Sequence, residues 1–281
     1  MKVMLLGTSA AEGWPGLFCD CEACAKARAL RGKNIRMRSS ALIDSVLKID
    51  LPPDTLYQVI AFDLDLRAMK ALLLTHGHDD HISVPELQYT GDFFVTRSLS
   101  PPLPIYGPPD TLERIRAGLD LENLPITLQP LEAWKPVDIA GYVVTPVIAQ
   151  HDWAQTCFNY IIRGPDGARL LYATDTGWYD EETWSFLREQ TLDALVLECT
   201  KGPVEGGYTG HLSIPDVIRM REKLIHDGAL GPDSRVVTTH HSHHGGLMHD
   251  ELERCLSGHN IAVGYDGMSF DVAASPADPR S

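Results

Sequence analysis

Seven residues, Thr75-His-Gly-His-Asp-Asp-His81, set three histidines and two aspartates directly behind the apolar run Leu72-Leu73-Leu74. Nothing else in the chain restricts its fold as much. A buried strand that ends in such a cluster must open onto a site, and loops at strand ends are where rigid scaffolds present chemistry. Neutral imidazole nitrogen and ionised carboxylate oxygen suit Zn²⁺, Mn²⁺ or Fe. A tight turn can aim His76 and His78 at one ion, and Asp80 and His81 at a neighbour. Four ligands do not complete two sites, so others must arrive from elsewhere. His151 follows the apolar run Tyr142–Ile148, Asp175 follows Leu170-Leu-Tyr-Ala-Thr, and His240 follows Val236-Val-Thr-Thr. Each alone is a weak signal. Their shared placement just after an apolar strand is the pattern expected when several strand ends converge on one pocket.

The rest of the chain agrees with a layered α/β fold. Strands are expected at Val3–Thr8, Ala41–Ile49, Ala71–Thr75, Ile105–Tyr106, Tyr142–Ile148, Cys157–Arg163, Arg169–Ala173, Ala194–Cys199, Val236–Thr239, Ile261–Gly264 and Ser269–Val272. The Gly-Pro-Asp-Gly between two of them signals a hairpin. Helices are expected at Val84–Thr90, Asp110–Gly118, Asp180–Gln190, Ile214–Asp227 and Met248–Leu256. In the fourth, Ile214, Val217, Ile218, Met220 and Leu224 form one apolar stripe. The length of 281 residues suits a single domain over 1–273 with a short polar tail at 274–281. No apolar run approaches the ~20 residues of a membrane span, and the N-terminus lacks a leader-like apolar region, so a cytoplasmic location is expected. The formal charge of −14 makes a long nucleic acid a poor partner.

Three of the six cysteines, Cys19, Cys21 and Cys24, fall within six residues. In a chain without an export signal such clustering reads as metal binding rather than disulfide bridging. Three thiolates are one ligand short of a tetrahedral zinc shell. His243, three residues beyond His240, can supply the fourth from the opposite side of its loop and tether an N-terminal insertion at about 10–38.

His76-x-His78-x-Asp80-His81 with His151, Asp175 and His240 resembles the metallo-β-lactamase superfamily over almost the whole chain. The resemblance implies an αββα sandwich with a two-metal site at one edge. His76, His78 and His151 would hold one ion, Asp80, His81 and His240 the other, and Asp175 would bridge them. Further stretches resemble the phosphoribosyl cyclic phosphodiesterases of phosphonate catabolism: Gly7-Thr-Ser9, Gly13-Trp-Pro15, Cys19-Asp-Cys-Glu-Ala-Cys24, Ser39-Ser-Ala-Leu-Ile-Asp44, Tyr106-Gly-Pro-Pro-Asp110 and Gly264-Tyr-Asp-Gly-Met268. That branch implies a structural zinc on Cys19, Cys21, Cys24 and His243. The coenzyme-PQQ biosynthesis branch shares the cysteine insertion and is the nearest competitor, followed by other hydrolases on the same site. The glycine-rich segment Lys201–Gly210 departs from the phosphodiesterase pattern.

The implied activity is hydrolysis of a small cyclic phosphodiester by hydroxide generated at two divalent ions (Mn²⁺ or Zn²⁺, with Fe open), with Asp80 in the catalytic centre. His211, in Gly210-His-Leu-Ser213 ahead of a helix capped by Ser213, would assist the leaving oxygen as general acid. The expected partner is a small anionic substrate, with no membrane and a homodimer left open. His226, His244, His249 and His259 are expected to face solvent, and His241 to lie behind His240 or at the surface.

Overall fold

The computed structural model describes residues 1–275; the last six residues of the expected tail lie outside them. Fourteen strands form two seven-stranded sheets among the described residues. The first holds β1 (Lys2–Gly7), β2 (Ser40–Ile43), β3 (Leu47–Ile49), β4 (Ala71–Leu73), β5 (Leu103–Gly107) and β6 (Ile126–Pro130), with β14 (Ser269–Asp271) beyond β1. The second runs in order from β7 (Val137–Ile139) through β8 (Tyr142–Ile148), β9 (Phe158–Arg163), β10 (Arg169–Ala173), β11 (Leu192–Glu198) and β12 (Leu230–Thr239) to β13 (Ile261–Val263). Each sheet begins as antiparallel hairpins and ends as parallel strands: β3 to β6 in the first, β10 to β13 in the second. The two halves match in topology although their sequences carry no visible repeat.

The inner faces pack on one another through Val3, Leu5, Ile43, Leu47, Ile49, Leu73, Tyr160, Ile162, Leu170 and Val196. Each fully buried aliphatic contributes roughly 1.5–3 kcal/mol. The outer faces are covered by helices. Against the second sheet lie α4 (Glu181–Arg188), α5 (Ile214–His226) and α6 (His249–Leu256); against the first lies α3 (Pro109–Gly118). The expected stripe on α5 buries Ile214, Val217, Met220 and Leu224, and Ser213 and Asp216 form a capping box at its start. The result is the αββα sandwich.

Several local expectations are corrected. Ala41–Ile49 is not one strand, because Asp44 (φ 48°) and Ser45 (φ 59°) turn the chain into a hairpin between β2 and β3. Val84–Thr90 is wound as 3₁₀ helix, with a proline in its first turn. Two helices escaped the sequence reading: α1 (Glu22–Leu30), inside the cysteine segment, and α2 (Thr55–Phe62). The pattern of α2 is inverted, with Thr55 and Gln58 buried while Leu56, Tyr57 and Ile60 are exposed. Strands β6 and β7 were also missed, the first being a mostly exposed edge and the second only three residues long. His249 is buried, not solvent-facing: its Nδ1 lies 3.2 Å from Arg36 Nη2 and its Nε2 2.9 Å from Glu253 Oε1. His241 is buried as well.

Candidate metal centre

At one edge of the sandwich, the loops leaving β4, β8, β10 and β12 bring together all seven residues expected there. His76, His78 and His151 place ligand atoms within 4.8 Å of one another; so do Asp80, His81 and His240, and so do His76, His81 and Asp175. Asp175 lies between the two triads. Its Oδ2 is 3.0 Å from His81 Nε2 and 3.2 Å from His240 Nε2, and its Oδ1 is 3.6 Å from His151 Nε2. Asp175 (φ 49°) and His240 (φ 54°) leave their strands in the left-handed region, and so does Asp50 (φ 60°) at the end of β3. Such a conformation costs a non-glycine residue about 1 kcal/mol or more, and it tends to cluster at functional sites. Here it swings three side chains toward one point.

Every histidine of the cluster has one nitrogen fixed by an oxygen, leaving the other for the centre. The fixing contacts are His76 Nδ1 to Thr75 Oγ1 (3.1 Å), His78 Nε2 to Asp152 Oδ2 (3.0 Å), His81 Nδ1 to Asp50 Oδ2 (2.7 Å), His151 Nδ1 to the Gly210 carbonyl (3.1 Å) and His240 Nδ1 to Thr200 Oγ1 (2.8 Å). Outer partners of this kind set ring orientation and raise ligand basicity. The inward nitrogens crowd one another: His78 Nδ1 is 2.9 Å from His76 Nε2 and 3.2 Å from His151 Nε2. A tetrahedral shell with metal–nitrogen bonds of 2.0–2.1 Å needs ligand spacings of about 3.3 Å. His81 Nε2 and His240 Nε2 are buried, and the Asp80 and Asp175 carboxylate oxygens beside them are not aligned for hydrogen bonds. Lone pairs left bare at these spacings fit divalent cations.

Among the side chains alone the electrostatics divide the cluster: burial opposes charging of His81, yet Asp175, Asp80 and Asp50 push its imidazole well above the usual range. Burial pulls the His76 imidazole well below its usual range, and neighbouring His81 adds to the effect, which keeps it a neutral ligand. Burial opposes ionisation of Asp80 and Asp175, yet the surrounding histidines hold both carboxyls well below the ordinary range.

His211 stands at the rim, its ring stacked 5.4 Å from that of His240 and tilted against that of His151 at 4.8 Å. It does not cap α5, which Ser213 does. Its Nδ1 is 2.6 Å from Oε1 of Glu198, a fully buried carboxylate at the end of β11. Glu198 also accepts from the backbone N–H groups of Thr176, Thr200 and Leu212. Burial opposes charging of His211, but Glu198 overrides it and pushes the imidazole up to about 9. Neither Glu198 nor Asp50 was singled out from sequence. Glu198 ends the apolar run Ala194–Leu197 and Asp50 follows Leu47-Lys-Ile49, and an acid at such a strand end is the signal that could have found them.

The second cluster lies three residues further along the same loop. His243 Nδ1 approaches Cys21 Sγ at 3.5 Å and Cys19 Sγ at 3.9 Å, and Cys24 completes a group within 4.8 Å. In a tetrahedral zinc shell, metal bonds of 2.3 Å to sulfur and 2.0–2.1 Å to nitrogen put S and N about 3.6 Å apart. Cys21 caps α1, and the Cys24 N–H bond to its sulfur lowers its thiol pKa. His243 Nε2 faces Glu12 Oε1 at 3.5 Å.

The family model for the beta-lactamase superfamily domain matches residues 42–241, well over half of the chain. The chain belongs to that superfamily. No curated protein sequence matches it. Among solved structures, the superfamily fold recurs in a diphosphatase from the PhnP family, 21% identical with a TM-score of 0.76 over 98% of this chain and 99% of that one. Zinc-bound PqqB from Methylobacterium extorquens gives the same identity and TM-score over 97% and 100%. The short form of human tRNase Z is more distant, at 17% identity and a TM-score of 0.64 over 98% and 100%. At such identities the likeness is one of fold. No helix among the described residues is long and apolar enough to cross a membrane.

Proposed function

We propose that this superfamily member is a metal-dependent phosphodiesterase acting on a small anionic ester, of which a strained cyclic phosphate is the best-suited form. The observation that carries the reading is His211, held by buried Glu198 at the rim of the seven-residue cluster. His76, His78 and His151 would hold one ion and Asp80, His81 and His240 a second, with Asp175 shared between them. Ions bound there supply Lewis-acid polarisation of a phosphoryl group and acidify water. Cys19, Cys21, Cys24 and His243 would hold a structural zinc remote from substrate.

The chain's own residues account for the rest. Asp80 and Asp175 would offset only part of the charge of two divalent cations, so the pocket would stay attractive to a phosphate despite the acidic exterior. His211, charged at neutral pH through Glu198, carries a proton at Nε2 for the departing alkoxide, while its Nδ1–H remains with the carboxylate. Glu198 fixes the ring so that proton delivery needs no reorientation. The likeness to a PhnP-family diphosphatase supports phosphate-centred chemistry.

The test is turnover of bis(p-nitrophenyl) phosphate and of a five-membered cyclic ribose phosphate, with and without chelator, beside a phosphomonoester and a diphosphate. Chelator-sensitive hydrolysis of both diesters, with poor monoester turnover, is the expected result. Zinc binding without hydrolysis of any of these would instead favour the PqqB-like reading, which rests on the equal likeness in fold to zinc-bound PqqB.

A further inference from the structure

Lys48 lies in the middle of β3, between Leu47 and Ile49, whose side chains enter the core between the sheets. Its own side chain leaves the opposite face and is fully buried. A buried lysine normally has a carboxylate partner. Lys48 has none within ion-pair distance among the described residues. Nζ instead bonds the Asp50 carbonyl and Ser40 Oγ, both at 2.5 Å, and Ser40 Oγ in turn bonds the Ile49 carbonyl at 2.8 Å. Burial draws its amine down to about 7, and the Asp50 charge offsets only part of that. So costly a group, absent from the chemistry above, must hold something worth holding.

What it holds is the left-handed backbone of Asp50. The carboxylate of that residue takes the Thr75 N–H at 2.8 Å, the Thr75 hydroxyl at 2.9 Å and His81 Nδ1 at 2.7 Å. His81 Nε2, on the far side of the ring, is one of the two bare buried nitrogens of the centre. The contacts run unbroken from Lys48 Nζ to the Asp50 carbonyl, from the Asp50 carboxylate to His81, and from His81 into the cluster.

We propose that Lys48 is a positioning residue of the metal centre: by gripping the Asp50 carbonyl it fixes that residue's left-handed turn and so aims His81 at the position shared with Asp80 and His240. The proposal rests on those three residues holding an ion; it does not depend on which ester is hydrolysed. Lys48 touches neither substrate nor metal. Its effect falls chiefly on that triad: Asp50 bonds His81 directly but reaches His76 only through Thr75, while His78 and His151 are oriented by Asp152 and Gly210.

The test is Lys48→Met, which keeps the length of the chain and removes the amine. Co²⁺ is titrated into the metal-free protein against a competing chelator. The thiolate cluster reports itself by its charge-transfer band, and the His76/His78/His151 position serves as internal reference. Affinity at the Asp80/His81/His240 position is expected to fall about 10–100-fold, the usual cost of losing an outer partner. The reference position, linked to Asp50 only through Thr75 and His76, should lose distinctly less, and the melting temperature of the metal-free protein should be unchanged or higher, because a desolvated amine has gone. A residue with a merely structural role would give the reverse: lower melting and intact affinity. Asp50→Asn should weaken the same position, and the double variant should be no worse than Asp50→Asn alone. Unchanged Co²⁺ affinity in Lys48→Met, or losses that simply add, overturns the proposal. Should Lys48→Met fail to fold, Ser40→Ala removes the other partner of Nζ and must weaken the same position several-fold; no change there is equally fatal. If the native chain binds no ion at that position, the ligand assignment itself falls and takes the proposal with it.

Discussion

His211 Nδ1 sits 2.6 Å from Glu198 Oε1, and the carboxylate that holds it is fully buried while the imidazole looks out over the rim of the metal centre. His211→Ala should therefore lower kcat by roughly 10²–10⁴ on diesters with poor leaving groups. The loss should shrink for p-nitrophenolate, which departs without a proton, and metal content should not change. Equal defects on both substrate types would reduce His211 to a pocket wall.

The alkaline limb of activity follows from the same pair. His211 is raised from 6.5 to about 9, so its proton is present at neutral pH and lost as pH rises through about 9. Glu198→Gln removes the charge responsible and should move that limb of the kcat profile back toward 6.5. A limb that stays in place would mean another group sets it.

Asp175 reaches both triads, so Asp175→Ala should cost more metal than the loss of a ligand at one end, such as His78→Ala. Elemental analysis is expected to show both positions of the centre depleted while the thiolate zinc stays. Retention of the full complement with near-normal turnover would remove Asp175 from the shared position.

Cys21→Ser should release one zinc per chain and lower thermal stability, without altering the seven residues of the other centre. The serine hydroxyl is a hard, neutral donor where a soft thiolate is required. Undiminished zinc in this variant would mean the cysteine cluster holds no ion.

Lys48 also predicts a pH signature of stability in the metal-free protein. Its amine is depressed from 10.5 to about 7 in the folded chain. Between those values the unfolded chain binds the extra proton, so native stability should rise with pH across that window. Lys48→Met lacks the slope, and its advantage over the native chain should narrow from pH 7 upward in urea titrations. Parallel curves for the two proteins would show that the amine is not desolvated.

The seven residues of the cluster were readable because they break pattern: histidine and aspartate just after largely apolar strands, at His76–His81, His151, Asp175 and His240. What lay beyond reading was whatever acts through a second residue. Asp50 and Glu198 matter because of His81 and His211, which are 31 and 13 residues away in sequence. Spacing says nothing about such pairs until the strands are in register. Helix α2 was invisible for another reason: it turns Leu56, Tyr57 and Ile60 outward, so the periodicity that marks a core-facing helix was absent. His249 was misread because nothing near it in sequence announces Arg36, its partner from the far end of the chain.

The division of the candidate ligands between the two sheets bears on how the molecule is assembled. His76, His78, Asp80 and His81 hang from the first sheet, and His151, Asp175 and His240 from the second. No ion can join them until the sheets have docked, so the chain must complete its long loop closures on hydrophobic burial alone. An ion caught afterwards acts as a rivet between two finished plates. It can lengthen the lifetime of the native state by slowing unfolding, but it offers no guidance on the way in.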